Sequence, residues 1–220
     1  DAASGVPVPV SARIGILDRK LAQITVHTKR RQDWIRWAKR ALQATYGYEF
    51  QGDNLLVARV NMLCTIEDYL GVAGYKPLTE DEYKDIAEII SWNVWQMDGL
   101  TKAVPFGVIH EEEVQLALFD FIEETIEKIT RNAAIIKNWD IGQAIEFYKV
   151  KREGKDMKFD YIIGNPPYQE EQEGDNANFA PPIYNKFMDG VYELSDKVEL
   201  ITPARFFFDA GSTPKAWNRK

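Results

Sequence analysis

The most distinctive chemistry of this sequence lies in ten consecutive residues, Phe159, Asp160, Tyr161, Ile162, Ile163, Gly164, Asn165, Pro166, Pro167 and Tyr168. The apolar run from Phe159 to Ile163 predicts a strand that ends at Gly164. Two prolines directly afterwards remove two backbone donors and stiffen the chain. Each also pushes the residue before it away from helical geometry. A rigid, extended turn results, with carbonyl groups directed outward. Asn165 adds a side-chain acceptor and Tyr168 a flat aromatic face. This equipment suits a planar amino group: the Asn165 side-chain oxygen and the Pro166 carbonyl accept its two hydrogens. Holding both hydrogens tilts the nitrogen lone pair toward an electrophile, while Tyr168 stacks on the ring that bears the amine. Pro167 keeps the turn stiff. Such a site needs no metal and no covalent nucleophile, because positioning and electrostatic preorganisation supply the rate.

The elements that must carry this turn are legible in outline. Trp34, Trp37, Ala38, Ala41 and Leu42 recur at helical spacing and predict a helix over about 31–44 with one apolar face. Residues 45–50 read as a short strand ending at Glu49 and Phe50. Asp53 is placed to cap a second helix through Leu56, Val60 and Leu63 to about Gly71. Thr79 and Glu82 have capping-box spacing and open a third helix carrying Ile86, Ile89 and Ile90. Trp92 to Trp95 read as a strand running into Met97, Asp98 and Gly99. A long amphipathic helix is expected from about Glu111 to Ile136, a further helix over 183–194, and a strand over 198–201. Strands alternating with helices argue for an α/β domain with a largely parallel sheet. Ligands sit beyond the carboxyl ends of such strands. That rule singles out Glu49 with Phe50, Asp98 with Gly99, and the Asn165–Tyr168 turn.

Asn-Pro-Pro-Tyr after an apolar strand resembles the catalytic motif of bacterial restriction-modification DNA adenine-N6 methyltransferases. The segment from Tyr46 to Asn54 is similar to their second-strand motif, and Trp95 to Leu100 to their third. The stretches Val198–Phe207 and Ala210–Asn218 are similar to the segments beyond the catalytic motif in these enzymes. The resemblance implies a Rossmann-like fold, S-adenosylmethionine as methyl donor, and double-stranded DNA with a flipped adenine as substrate. It implies that Glu49 holds the cofactor ribose, Phe50 packs on the cofactor adenine, and Asp98 accepts from the adenine amine. Asn165, which must face the transferring methyl, is grouped with both the cofactor and the catalytic residues. Tyr184 and Arg205 are expected on the DNA side unless they serve the core.

These enzymes open with a glycine-rich cofactor loop, yet none of the 14 glycines forms a Gly-x-Gly pair. The chain therefore reads as a catalytic domain incomplete at both ends, with a helical insertion over roughly 100–155 and no target-recognition domain. Enzymes that methylate protein glutamine or RNA guanine amines carry similar motifs, and a non-catalytic DNA-binding relative would keep the same fold. These alternatives stand beside the adenine reading.

Composition narrows the classes further. Hydrophobic residues make up 45% and charged residues 28%, as in ordinary globular domains. No apolar run approaches the roughly 20 residues a spanning helix needs. The single cysteine, Cys64, excludes an internal disulfide framework and a multi-cysteine metal site, and favours a cytoplasmic setting. It is expected as a small buried helix residue. His27 and His110 stand alone. Glu111 to Glu113, with Glu123 and Glu124, read as a helix start and a solvated face rather than metal ligands. The acidic stretch from Glu170 to Asp175 reads as a mobile loop. A net charge of −7 places most DNA-gripping surface outside these residues, because phosphate contacts need a basic face. The clusters Lys29–Arg31 and Lys149–Arg152 are short enough to be solvated surface.

Overall fold

The computed structural model describes residues 8–105, 132–154, 157–169 and 181–204. Two compact units are formed, one mainly from the chain up to Asp98 with Ala134–Ala144, the other from Gly99–Ala103 and the chain from Ile145. Residues 111–131 of the helix expected over 111–136, the acidic loop, His110 and Arg205 lie outside the described residues.

The first unit is helical, with four helices in order: α1 (Ile16–His27), α2 (Arg31–Gln43), α3 (Gly52–Val72) and α4 (Glu80–Asn93). Strand β1 (Gly47–Glu49) lies between α2 and α3, and β2 (Val94–Gln96) succeeds α4 without a break. The two strands pair in parallel, with Tyr48 opposite Trp95 and Glu49 opposite Gln96. Strands β3 (Ile135–Asn138) and β4 (Gln143–Glu146) make a second two-stranded sheet. The core gathers Leu17 and Leu21 of α1, Trp34, Ala38 and Leu42 of α2, Ile66 and Leu70 of α3, and Ile86, Ile89 and Ile90 of α4. The buried Trp34 indole is satisfied, donating to Thr25 Oγ1 at 3.0 Å.

Helix α4 starts as its sequence predicts. Thr79 accepts from the Glu82 backbone and Glu82 returns a bond to the Thr79 N–H, a complete capping box. Glu82 is gripped a second time by Arg31, whose guanidinium donates to both carboxylate oxygens at 2.8 and 2.6 Å. That pairing holds the Glu82 carboxyl at about 2, well below its ordinary value. Helix α3 ends with Gly74 at φ +70°, and Tyr75 N–H reaches back to the Leu70 carbonyl. A left-handed glycine with that bond is a common helix stop.

Several expectations are corrected. Helix α1 is an element that the sequence pattern does not predict. Asp53 sits in the first turn of α3 rather than capping it; the cap position is Gln51, whose side chain makes no capping bond to the backbone. Trp37 is half exposed, and Ile35 is buried in its place. The face assigned to α3 is only partly right: Leu63 packs against the core, but Leu56 and Val60 are exposed, while Leu55, Ile66, Tyr69 and Leu70 are buried. Cys64 is exposed rather than buried. Trp92 and Asn93 belong to the end of α4, so the strand begins two residues later. Residues 135–138 and 143–146 are strands, not the helical end of an insertion.

The second unit carries a 3₁₀ turn at Phe147–Lys149, strand β5 (Ile162–Gly164), helix α5 (Tyr184–Tyr192) and strand β6 (Val198–Leu200). Strand β5 is shorter than the apolar run that predicts it. It pairs in parallel with β6, Gly164 opposite Leu200. Bonds from Ile162 N–H to the Lys197 carbonyl and from Ile201 N–H to the Gly164 carbonyl close the ladder at its two ends. Helix α5 packs Tyr184 and Met188 against Leu200. Tyr184 is therefore a core residue, 3% exposed, not part of a DNA-facing surface. The described strands lie in three separate two-stranded sheets rather than one broad sheet.

Candidate active site

The first unit brings Glu49, Phe50 and Asp98 to the carboxyl ends of two adjacent parallel strands. Glu49 is the last residue of β1, and Asp98 lies two residues beyond β2. The ladder continues past Gln96, since Met97 N–H donates to the Glu49 carbonyl at 3.1 Å. The Glu49 side chain bends back so that Oε1 accepts from the N–H groups of Phe50 and Gln51, at 2.9 and 3.1 Å. Those donors lie just ahead of α3, where free N–H groups and the helix dipole favour a negative charge. Both bonds go to Oε1, which leaves Oε2 to accept from a ligand hydroxyl. Phe50 is 49% exposed, so it is not the core aromatic that its type alone would suggest.

Two neighbours that sequence reasoning missed hold this edge together. Gln96 Nε2 donates to the Phe50 carbonyl at 2.9 Å and so fixes the turn between β1 and α3. Arg59 of α3 donates to the carbonyls of Val94 and Ser91 at 2.8 and 3.2 Å, tying α3 to the start of β2. Nothing in residue type alone marks either one, because both act on backbone carbonyls that only the fold brings near. On the opposite face of the ladder, Tyr48 packs against the Trp95 ring at 6.2 Å. Burial, and then the Asp98 carboxylate, push the Tyr48 phenol above its ordinary value.

The second unit presents Asn165, Pro166, Pro167 and Tyr168 directly beyond β5. A Cβ added at Gly164 would meet Leu200 Cδ2 at 3.1 Å, so a larger residue there would require the Leu200 side chain to shift by a few tenths of an ångström. Pro166 is buried, while Asn165, Pro167 and Tyr168 are exposed. The far side of the turn is pinned by Ile183 N–H donating to the Tyr168 carbonyl at 3.1 Å and by a bridge between Gln169 and Pro182. The backbone is thus held on both sides of the two prolines. Within the turn, the Tyr168 hydroxyl donates to Asn165 Oδ1 at 3.0 Å.

Chemically, the first group offers a carboxylate and an aromatic face at a strand edge, with a second acid on the neighbouring strand. The second offers an amide oxygen and a ring on a stiff turn. Neither resembles a metal centre: among the described residues no three His, Cys, Asp or Glu side chains cluster to hold an ion. No helix of the described residues is long and apolar enough to cross a membrane.

A family model for the Eco57I restriction-modification methylase matches residues 43–220, which include every residue of both groups. The chain belongs to that family. Its members are methylases of restriction–modification systems, so the two groups are to be read as parts of a DNA-methylating enzyme. The match begins at the end of α2; α1 and most of α2 precede it. No curated protein and no solved structure matches the chain.

Proposed function

We propose that the full-length protein transfers a methyl group from S-adenosylmethionine to the N6 amine of adenine in DNA. The observation that carries this reading is the exposed pair Asn165 and Tyr168 on a Pro-Pro turn at the carboxyl end of a parallel strand. Asn165 Oδ1 and the Pro166 carbonyl accept the two amine hydrogens, Pro167 keeps the turn rigid, and Tyr168 stacks on the flipped base. On this reading the amine that Asn165 holds would have to meet the methyl donor, so Asn165 is grouped with the cofactor residues as well.

Glu49 Oε2 suits a ribose hydroxyl, in the way an acid at a second strand end holds ribose in dinucleotide folds. Phe50 offers its exposed face to the cofactor adenine, and Asp98 accepts from the adenine amine. When bound, S-adenosylmethionine supplies the electrophilic methyl group. Each ladder, β1 with β2 and β5 with β6, is parallel, the pairing that a Rossmann-like methyltransferase fold uses, and restriction–modification is the setting in which the enzyme would act.

The test is expression of the full-length protein in a host that lacks adenine methylases, with mass spectrometry of digested nucleosides. N6-methyladenine is expected with the wild type, and about 100-fold less or lower with Asn165→Ala, the loss typical of removing one preorganised acceptor or donor. No modified adenine from soluble protein that binds the cofactor would overturn the DNA reading. Methyl transfer to RNA or to protein glutamine would then replace it.

A further inference from the structure

We propose that the Tyr168 hydroxyl is a stand-in for the substrate amine, closing the Asn165 acceptor until a base displaces it. This rests on the reading of Asn165 as the amine acceptor. The hydroxyl donates to Asn165 Oδ1 at 3.0 Å, the oxygen assigned to the amine. Both side chains are exposed, so the contact is not a by-product of burial; Tyr168 is 42% accessible.

The surrounding backbone cannot relax to separate the two groups. On one side the Gly164 carbonyl is bonded to Ile201 N–H; on the other the Tyr168 carbonyl is bonded to Ile183 N–H. Prolines at 166 and 167 fix the chain between them. Only side-chain rotation can open the bond, and rotation about the Tyr168 side chain is also what moves the ring to stack on a base. Entry of the amine, release of the hydroxyl and repositioning of the ring are therefore one coupled step. One neutral hydrogen bond is exchanged for another, and the hydroxyl is released to water. The latch thus lowers the apparent affinity for the base.

A tyrosine whose hydroxyl merely supported the turn would behave in the opposite way on removal. Tyr168→Phe keeps the stacking face and deletes the competing donor. The assay is methyl transfer from radiolabelled S-adenosylmethionine to unmethylated bacterial genomic DNA, using the full-length protein. The expected result is a rise of about three- to tenfold in kcat/KM for DNA, carried by KM, the worth of one hydrogen bond. Tyr168→Leu, which removes the ring as well, should instead raise KM. An unchanged or higher KM in Tyr168→Phe overturns the latch while leaving the DNA reading intact. Absence of transfer by the wild type overturns the DNA reading and the latch with it.

Discussion

Asn93 is the residue whose replacement should be felt most widely. It is fully buried at the end of α4, immediately before β2. The two hydrogens of its Nδ2 are shared among the carbonyls of Leu42, Gln43 and Thr45, at 2.8, 3.1 and 3.2 Å, and its Oδ1 accepts from Trp139 Nε1 at 2.6 Å. The three carbonyls belong to the end of α2 and the residues leading into β1. One amide thus fastens the amino ends of both strands whose other ends carry Glu49 and Asp98. In Asn93→Ala, the Leu42 carbonyl keeps its bond from Thr45 N–H at 2.9 Å. The Gln43 and Thr45 carbonyls and the Trp139 N–H lose theirs. An orphaned buried polar group costs about 1–3 kcal/mol, and these three sites are partly solvated, so the lower half applies. We expect a loss of about 3–5 kcal/mol, a large share of the 5–15 kcal/mol typical of a domain. With a urea m-value near 2 kcal/mol/M, the midpoint should fall by about 2 M, read by tryptophan fluorescence. Asn93→Asp keeps the acceptor for Trp139 but sets a carboxylate against three carbonyls, so it should be no milder. A loss below about 1 kcal/mol for Ala, or an Asp variant more stable than Ala, would refute the clamp.

The same geometry makes two further outcomes testable. Glu49→Gln keeps an oxygen for the Phe50 and Gln51 N–H groups but removes the charge that, on the proposed reading, would meet a ribose hydroxyl. S-adenosylmethionine should bind about 10- to 100-fold more weakly by calorimetry with the circular dichroism unchanged; an unaltered Kd would remove Glu49 from the cofactor site. The Arg31–Glu82 pair predicts acid sensitivity. The folded carboxyl, at about 2, lies below its unfolded value near 4.5, so its stabilisation is present above about pH 5 and lost as pH falls toward 2. For a pair one-fifth exposed this is about 1–2 kcal/mol. Glu82→Gln should be less stable than wild type at pH 7, with the gap closing on acidification; a gap constant with pH would show that the charge is not what matters.

Whether an element can be read from sequence depends on where its signal resides. The capping box at Thr79 and Glu82 and the inward trio Ile86, Ile89 and Ile90 are local patterns, and the structure contains both. Helix α3 is different, because apolar residues run around most of its circumference. Leu56 and Val60 extend a stripe with Leu63 as readily as Leu55, Ile66 and Leu70 do, and only the neighbours α1 and α4 decide that Leu56 and Val60 stay outside while Leu63 packs on the core. Residues 135–138 continue an apolar pattern that suits a helix end, yet they pair as a strand. Short apolar runs do not distinguish the two states by periodicity. The positions of Glu49, Asp98 and Asn165 at strand ends are legible, since the loop after a strand is where such acids and turns appear. The clamps at Asn93, Gln96 and Arg59 are not, because a side chain that bonds distant backbone carbonyls leaves no trace in spacing.

The same structure bears on how the labour of DNA recognition is divided. The cations around α2 are already engaged within the chain: Arg30 and Arg36 with Asp33, Arg31 with Glu82, Lys39 with Asp85, and Arg40 with Asp140. Exposed pairs of this kind contribute little to stability and could be opened. Opening them toward phosphate, however, would leave carboxylates facing the DNA backbone. With a net charge of −7 that exchange is unfavourable, since phosphate affinity depends on releasing counterions to an excess of positive side chains. On the reading proposed above, the described residues suit a step in which a single neutral base would meet an amide, a stiff turn and an aromatic ring. Such a step would depend on position rather than charge, so an acidic chain is compatible with it.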